Sequence, residues 1–123
     1  MTDVWRLPAI APWEKSCGKH PTQKPLAIMA RVILASTNPG AWILDPFAGS
    51  STTGIAANLV NRRFLGIERE LDFVEMSRKR RLELDDYQTR ITYRNKIQDI
   101  KLSEAIEQLS TVCEDFATKD LPF

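Results

Sequence analysis

Between Asp45 and Thr53 the chain reads Asp-Pro-Phe-Ala-Gly-Ser-Ser-Thr-Thr, and Glu68 follows nineteen residues after Gly49. Each residue type suits a task at a ligand. Gly49 has no side chain, so backbone there can approach a bound group closely. A helix opening near Thr52 and Thr53 offers unpaired amides to an anion. A carboxylate at the end of the next strand, Glu68, can accept hydrogen bonds from both ribose hydroxyls. No Lys follows Gly54, so the loop lacks the cation of a phosphate-binding P-loop, and it is not a G-x-G-x-x-G loop. Asp45 suits a cationic or hydroxylated ligand better than a pyrophosphate.

S-adenosylmethionine combines a ribose, an amino-acid end and a sulfonium, and fits this pattern. Another nucleoside ligand and a plain structural strand-to-helix turn are the other readings the residues leave open.

The elements that must position these residues follow from periodicity. Residues 1–23 are irregular, punctuated by Pro8, Pro12, Gly18 and Pro21, with at most a short strand near Val4–Leu7. Pro25 opens a helix that runs to about Thr37 with Leu26, Met29 and Ile33 on one face. Asn38-Pro39-Gly40 stops it. Residues 41–44 read as a buried strand ending in Asp45, and a helix follows from about Thr52 to Asn61. Residues 63–67 read as a second strand ending in Glu68. A helix from Glu70 to about Asp85 follows, with Leu71, Val74, Met76 and Leu82 as inner positions. Thr89 to Arg94 alternates as a possible third strand. Residues 97–118 carry an amphipathic stripe of Ile97, Ile100, Ala105, Ile106, Leu109, Val112, Cys113 and Phe116. Alternating strands and helices predict an α/β fold with a parallel sheet, whose ligands sit beyond the carboxyl ends of the strands.

Composition narrows the class. The chain has 123 residues, 43% hydrophobic and 27% charged, ordinary for a globular domain. No apolar run approaches the roughly 20 residues of a membrane span, and Asp3 and Arg6 interrupt the start before a signal peptide could form. Cys17 and Cys113 stand far apart with no C-x-x-C, and His20 is the single histidine, so neither a disulfide framework nor a metal site is expected. A cytoplasmic location is the expectation. Local net charges are +2 over residues 1–61, +3 over 62–96 and −4 over 97–123. The run Arg78-Lys79-Arg80-Arg81 reads as a solvated helix face.

Three segments together carry a resemblance. His20-Pro21-Thr22-Gln23-Lys24-Pro25, then Asp45 to Thr53, then Phe64-Leu65-Gly66-Ile67-Glu68 resemble the exocyclic-amino DNA methyltransferases, which methylate adenine N6 or cytosine N4. Their order resembles the circularly permuted group, in which the catalytic motif precedes the cofactor half, and the resemblance covers residue 3 to about 83. It implies a partial Rossmann-like methyltransferase sheet of three-layer αβα type with few parallel strands. It also implies S-adenosylmethionine as cofactor. By matching position, Asp45, Phe47 and Gly49 would line the cofactor pocket. Ser50, Thr52 and Thr53 would meet the methionine carboxylate region, and Glu68 would hold the ribose. His20, Thr22 and Lys24 would close the other side, with Lys24 facing the carboxylate. Ser51 departs from the family, which usually has Gly there.

The family catalyses through an Asp/Asn/Ser-Pro-Pro-aromatic motif, and no such string occurs in this chain. The resemblance therefore implies a cofactor-binding portion without its catalytic residues. DNA would be met through the complete enzyme, and a complementary catalytic chain or a homo-oligomer is the expected partner. The division expected is an irregular lead-in over 1–23, the cofactor-binding half-domain over 24–96, and the C-terminal helix and tail over 97–123. A non-catalytic interaction or dimerisation module is the alternative reading.

Overall fold

A computed structural model describes residues 4–6, 9–18 and 22–119, with side chains through Thr111. After a short 3-10 turn at Pro12–Lys15, the order is α1 (Leu26–Ser36), β1 (Trp42–Asp45), α2 (Thr52–Leu59) and β2 (Arg63–Gly66). Three helices follow: α3 (Leu71–Glu83), α4 (Tyr87–Lys96) and α5 (Gln98–Lys119). β1 and β2 pair in parallel with Trp42 beside Arg63 and Asp45 beside Gly66. Both strands therefore end at the same edge, which sets the Asp45 loop next to the Glu68 turn.

The connection between the strands is closed by local chemistry. Asn61 takes φ 60° after α2, Arg62 N–H donates to the Ala57 carbonyl and Asn61 N–H to that of Asn58. This is a Schellman ending, which favours Gly or Asn because the residue must be left-handed. Arg62 then donates Nη2 to the Thr37 carbonyl and Nε to the Thr37 hydroxyl, at 2.7 and 3.1 Å, tying the end of α1 to the start of β2.

The core lies between helices on one side of the sheet. Leu26, Ala30 and Ile33 of α1 meet Ile55, Ala56, Ala57 and Leu59 of α2, with Leu84, Ile97 and Ile100 closing it. Ile43 and Phe64 are the strand residues packed against it. Because strand side chains alternate, the opposite face carries Trp42, Leu44 and Leu65, with Ile67 just beyond β2. These four are 55–66% exposed. Of the three layers implied by the full sheet, the described residues supply two.

Several expectations need correction. Residues 89–94 are not a strand but lie within α4. Asp86 accepts the Thr89 N–H at 2.7 Å as an N-cap, and the positions at helical spacing are engaged inward: Arg90 on Asn58, Tyr93 on Glu83, Arg94 on the Leu59 carbonyl. The sheet accordingly has two strands among the described residues. Val4 to Arg6 form no strand. Leu71 and Leu82 of α3 are exposed rather than inner, while Val74 and Met76 are half-buried. Ile97, at the end of α4, and Ile100 of α5 enter the core, but Ala105, Ile106 and Leu109 face out. Val112, Cys113 and Phe116 lie outside the described side chains.

Candidate functional site

The loop after β1 is tight because two of its residues are left-handed: Gly49 at φ 54° and Ser51 at φ 60°. Gly49 adopts this freely, whereas Ser51 carries the strain of a Cβ there. Ser51 N–H donates back to the Ala48 carbonyl at 2.7 Å, and α2 begins at Thr52. Asp45 braces both ends of the loop. Its Oδ1 accepts Phe47 N–H at 3.0 Å and its Oδ2 accepts the Thr53 hydroxyl at 2.7 Å.

A cavity of about 370 Å³ opens over this loop. Its wall includes Thr22 and Lys24 before α1, Asp45, Phe47, Gly49 and Ser50 in the loop, and Thr52 and Thr53 at the start of α2. Residues far apart in sequence thus converge where helix α2 directs its first amides and the positive end of its dipole. Phe47 is 87% exposed, so it belongs to the rim and not to the core. His20 lies outside the described residues.

Glu68 stands on the other side of the loop. Its Oε2 accepts Gly49 N–H at 2.8 Å, and its Oε1 accepts the amides of Arg69 and Glu70 at 2.8 and 2.9 Å. It lines a second, more apolar cleft of about 650 Å³ with Ala48, Phe64, Val74 and Leu82. Ala48 belongs to both cavities, so the loop is the partition between them.

Sequence reasoning missed the residues that hold the loop from behind. Ser77 Oγ of α3 shares its one proton between the Phe73 carbonyl of its own helix at 2.8 Å and the Gly49 carbonyl at 3.1 Å. Arg80 Nη1 donates to the Ser50 carbonyl at 2.7 Å and to the hydroxyls of Ser50 and Thr52 at 3.1 Å. Arg80 is 6% exposed, which corrects the reading of its basic run as wholly solvated. Burial pulls its guanidinium pKa down, and the Glu14 carboxylate opposes that first among its neighbours. With the loop carbonyls turned toward α3, the start of α2 is left facing the cavity. Glu14, also buried, accepts Leu26 N–H on Oε2 at 2.8 Å, and its carbonyl accepts Gln23 Nε2 at 2.8 Å. Gln23 itself lines the cavity.

A third cluster anchors the N-terminal segment. Glu83 accepts from Cys17 Sγ on Oε1 and from the Tyr93 hydroxyl on Oε2, each at 2.8 Å, and from Ser16. Burial would raise the Glu83 pKa, but these bonds outweigh it and hold the carboxyl below its usual value. Burial and the adjacent Glu83 push the Cys17 thiol up. Among the described residues no group of His, Cys, Asp or Glu could hold a metal ion, and no helix is long and apolar enough to cross a membrane.

Comparison with known proteins bears on this geometry. A family profile described as DNA methylase, of the N6/N4 type, matches residues 1–79. The chain is 57% identical over 82 residues to Type II methyltransferase M2.MboI of Moraxella bovis, covering 67% of this chain and 30% of that protein. It is 46% identical over 78 residues to the DNA adenine methyltransferase YhdJ of Escherichia coli (strain K12), covering 63% and 26%. Among solved structures, the crystal structure of the M1.HpyAVI–SAM complex matches with 50% identity and a TM-score of 0.50, covering 50% of this chain and 30% of that one. The match therefore spans about three tenths of the length of each of these proteins.

Proposed function

The chain belongs to the DNA methylase family of the N6/N4 type, and on that footing we infer that residues 24–96, with Thr22, form the S-adenosylmethionine-binding half-domain of an enzyme that methylates an exocyclic amino group of DNA. The target is adenine N6 or cytosine N4. The observation that carries this reading is the single cavity uniting the segment before α1, the Asp45 loop and the start of α2.

The residues suit this group. Lys24 and the first residues of α2, Thr52 and Thr53, line the same cavity, and an ammonium and a helix N-terminus are features that would receive a carboxylate. Asp45 supplies negative charge nearby, which favours a ligand carrying an ammonium and a sulfonium. Phe47 at the rim is free to stack on the adenine ring. Glu68 on the far side of the partition would meet the ribose hydroxyls, and His20 would close the cavity with Thr22. When bound, the cofactor supplies an electrophilic methyl group. This chain's own part is to hold and orient it.

The sequence contains no Pro-Pro-aromatic string, so the groups that accept the target's amino protons and stack on a flipped base would come from the catalytic half of the enzyme, on a separate chain or on a segment N-terminal to this one. The bare sheet face with Trp42, Leu44 and Leu65 supports such a partner. The alternative, a non-catalytic interaction module, is supported by Leu102, Ile106 and Leu109 of α5, which stand 53–65% exposed.

Equilibrium dialysis of the 123-residue chain against radiolabelled S-adenosylmethionine tests the reading. Saturable binding that excess ATP does not displace is expected, as is methyl transfer to DNA only after a chain bearing the missing motif is added. No saturable uptake at millimolar ligand would overturn it, and transfer by the chain alone would refute the assignment of catalysis elsewhere.

A further inference from the structure

The outer edge of β2 carries no strand. The sheet has two strands among the described residues, and residues 89–94, whose alternation suggested a third, lie in α4. The N–H groups of Arg63 and Ile67 donate to the Ala41 and Asp45 carbonyls at 2.9 Å. Backbone groups alternate in direction along a strand, so those of Phe64 and Gly66 point away from β1. A row of this kind is a template for pairing with another chain.

Two adjoining cavities flank this edge, and both include Phe64 and Arg81. In the cleft of about 650 Å³, Phe64 and Gly66 share the wall with Val74 and Leu82 of α3. The space beside β2 thus has an apolar side, on which Leu82 is 65% exposed. The second cavity, of about 350 Å³, is bounded by Arg62, Arg63 and Arg81 and by no carboxylate. Arg81 pairs with Asp85 at 2.6 Å, but both side chains are at least half exposed, so the pair leaves most of the basic character in place.

We propose that the β2 edge takes an extended segment of a partner protein as a third strand, apolar where it passes α3 and acidic at the end beside Arg63 and Arg81. Backbone bonds to Phe64 and Gly66 would hold it, and the flanking side chains would select it. Charge decides the occupant. A second copy of this chain would bring a face of the same sign, since residues 62–96 carry a net +3, and like charges brought together cost affinity. A DNA duplex would match the arginines but not the wall of Phe64, Val74 and Leu82. The inference is independent of the cofactor reading, because it uses the edge of β2 and not the cavity over the Asp45 loop.

The test is an NMR titration of the isotope-labelled 123-residue chain with two capped peptides, Glu-Glu-Val-Thr-Val-Thr and its reverse, one for each strand direction. At least one is expected to saturate below about 1 mM, with the Phe64 and Gly66 amides moving downfield as they gain acceptors. Exchanging both glutamates for lysines should weaken binding at least about tenfold. Leu82→Asp, at an exposed site that leaves the fold intact, should also weaken it at least about tenfold. Leu44→Asp, on the bare sheet face, should stay within about twofold. No saturation by either peptide, saturation without shifts at Phe64 and Gly66, equal binding of the lysine peptides, or equal weakening by both variants overturns the proposal. So does a dimer of the chain that Leu82→Asp dissociates, which would assign the edge to a second copy. A DNA duplex that shifts these amides where neither peptide does overturns it as well.

Discussion

Glu68 Oε2 lies 2.8 Å from the Gly49 amide, across a separation of nineteen residues. The carboxylate at the end of β2 is thus a brace for the loop at the end of β1, whatever else it binds. Glu68→Ala is expected to speed hydrogen exchange of the Gly49 amide roughly tenfold in the absence of ligand, from the loss of a bond worth about 1.5 kcal/mol. Glu68→Gln, which keeps an acceptor oxygen, should fall between. Unchanged exchange in Glu68→Ala would show that the brace is not needed.

Arg80 predicts a larger effect. Replacing it by Ala strips the Ser50 carbonyl and two hydroxyls of their donor and leaves Glu14 without its buried countercharge. A loss of about 2–4 kcal/mol of unfolding free energy is expected in urea titrations. Arg80→Lys should recover only part, since an ammonium cannot reproduce the planar fork of donors. Full recovery by Lys would mean that charge alone suffices.

Ser51 and Gly54 should respond in opposite directions. Ser51→Gly relieves a non-glycine residue at φ 60° and is expected to raise stability by about 0.5–1 kcal/mol, read as a higher denaturation midpoint at constant m-value. Gly54→Ala places a methyl 2.5 Å from the Phe64 ring and 2.6 Å from Ser51 Oγ, and should cost about 1–3 kcal/mol through overpacking. A neutral Gly54→Ala would show that Phe64 can swing away.

The Glu83 cluster predicts a pH signature. Because the folded state holds this carboxyl below its ordinary pKa of 4.5, its contribution is complete above that value and is lost as pH falls through the lower folded one. The stability gap between wild type and Glu83→Gln should be flat from neutrality to about pH 5 and close in more acid solution. The raised Cys17 thiol gives a second readout. In a Cys113→Ser background, a disulfide reagent at pH 8 should label Cys17 faster once Glu83→Gln removes the neighbouring charge. Equal labelling rates would separate the thiol from Glu83.

The strand–helix–strand unit was legible because its apolar runs are short and bounded by Asn38-Pro39-Gly40 and by Asp45 to Ser51, signals that act within a few residues. The cavity wall was legible for the same reason, since most of it is contiguous in sequence. What escaped depends on distant partners. The alternation of Thr89, Ile91 and Tyr93 imitates a strand, and only the Asp86 cap with the contacts of Arg90 and Arg94 makes it helical. A basic run cannot reveal that its third member turns inward to a loop thirty residues earlier in the chain. Nor does the stripe along α5 say whether anything covers it.

The uncovered side of the sheet has an optical consequence. Trp42 sits there 66% exposed, with the Arg63 guanidinium 5.7 Å from its ring centroid. An indole in that setting emits toward the red and is open to collisional quenchers, whereas Trp13 is packed against Tyr93 at 4.9 Å. Whatever seats itself on β1 and β2 must shift Trp42 emission to the blue and shield it from acrylamide. Fluorescence of a Trp5→Phe, Trp13→Phe chain would therefore report that event directly, with no label added.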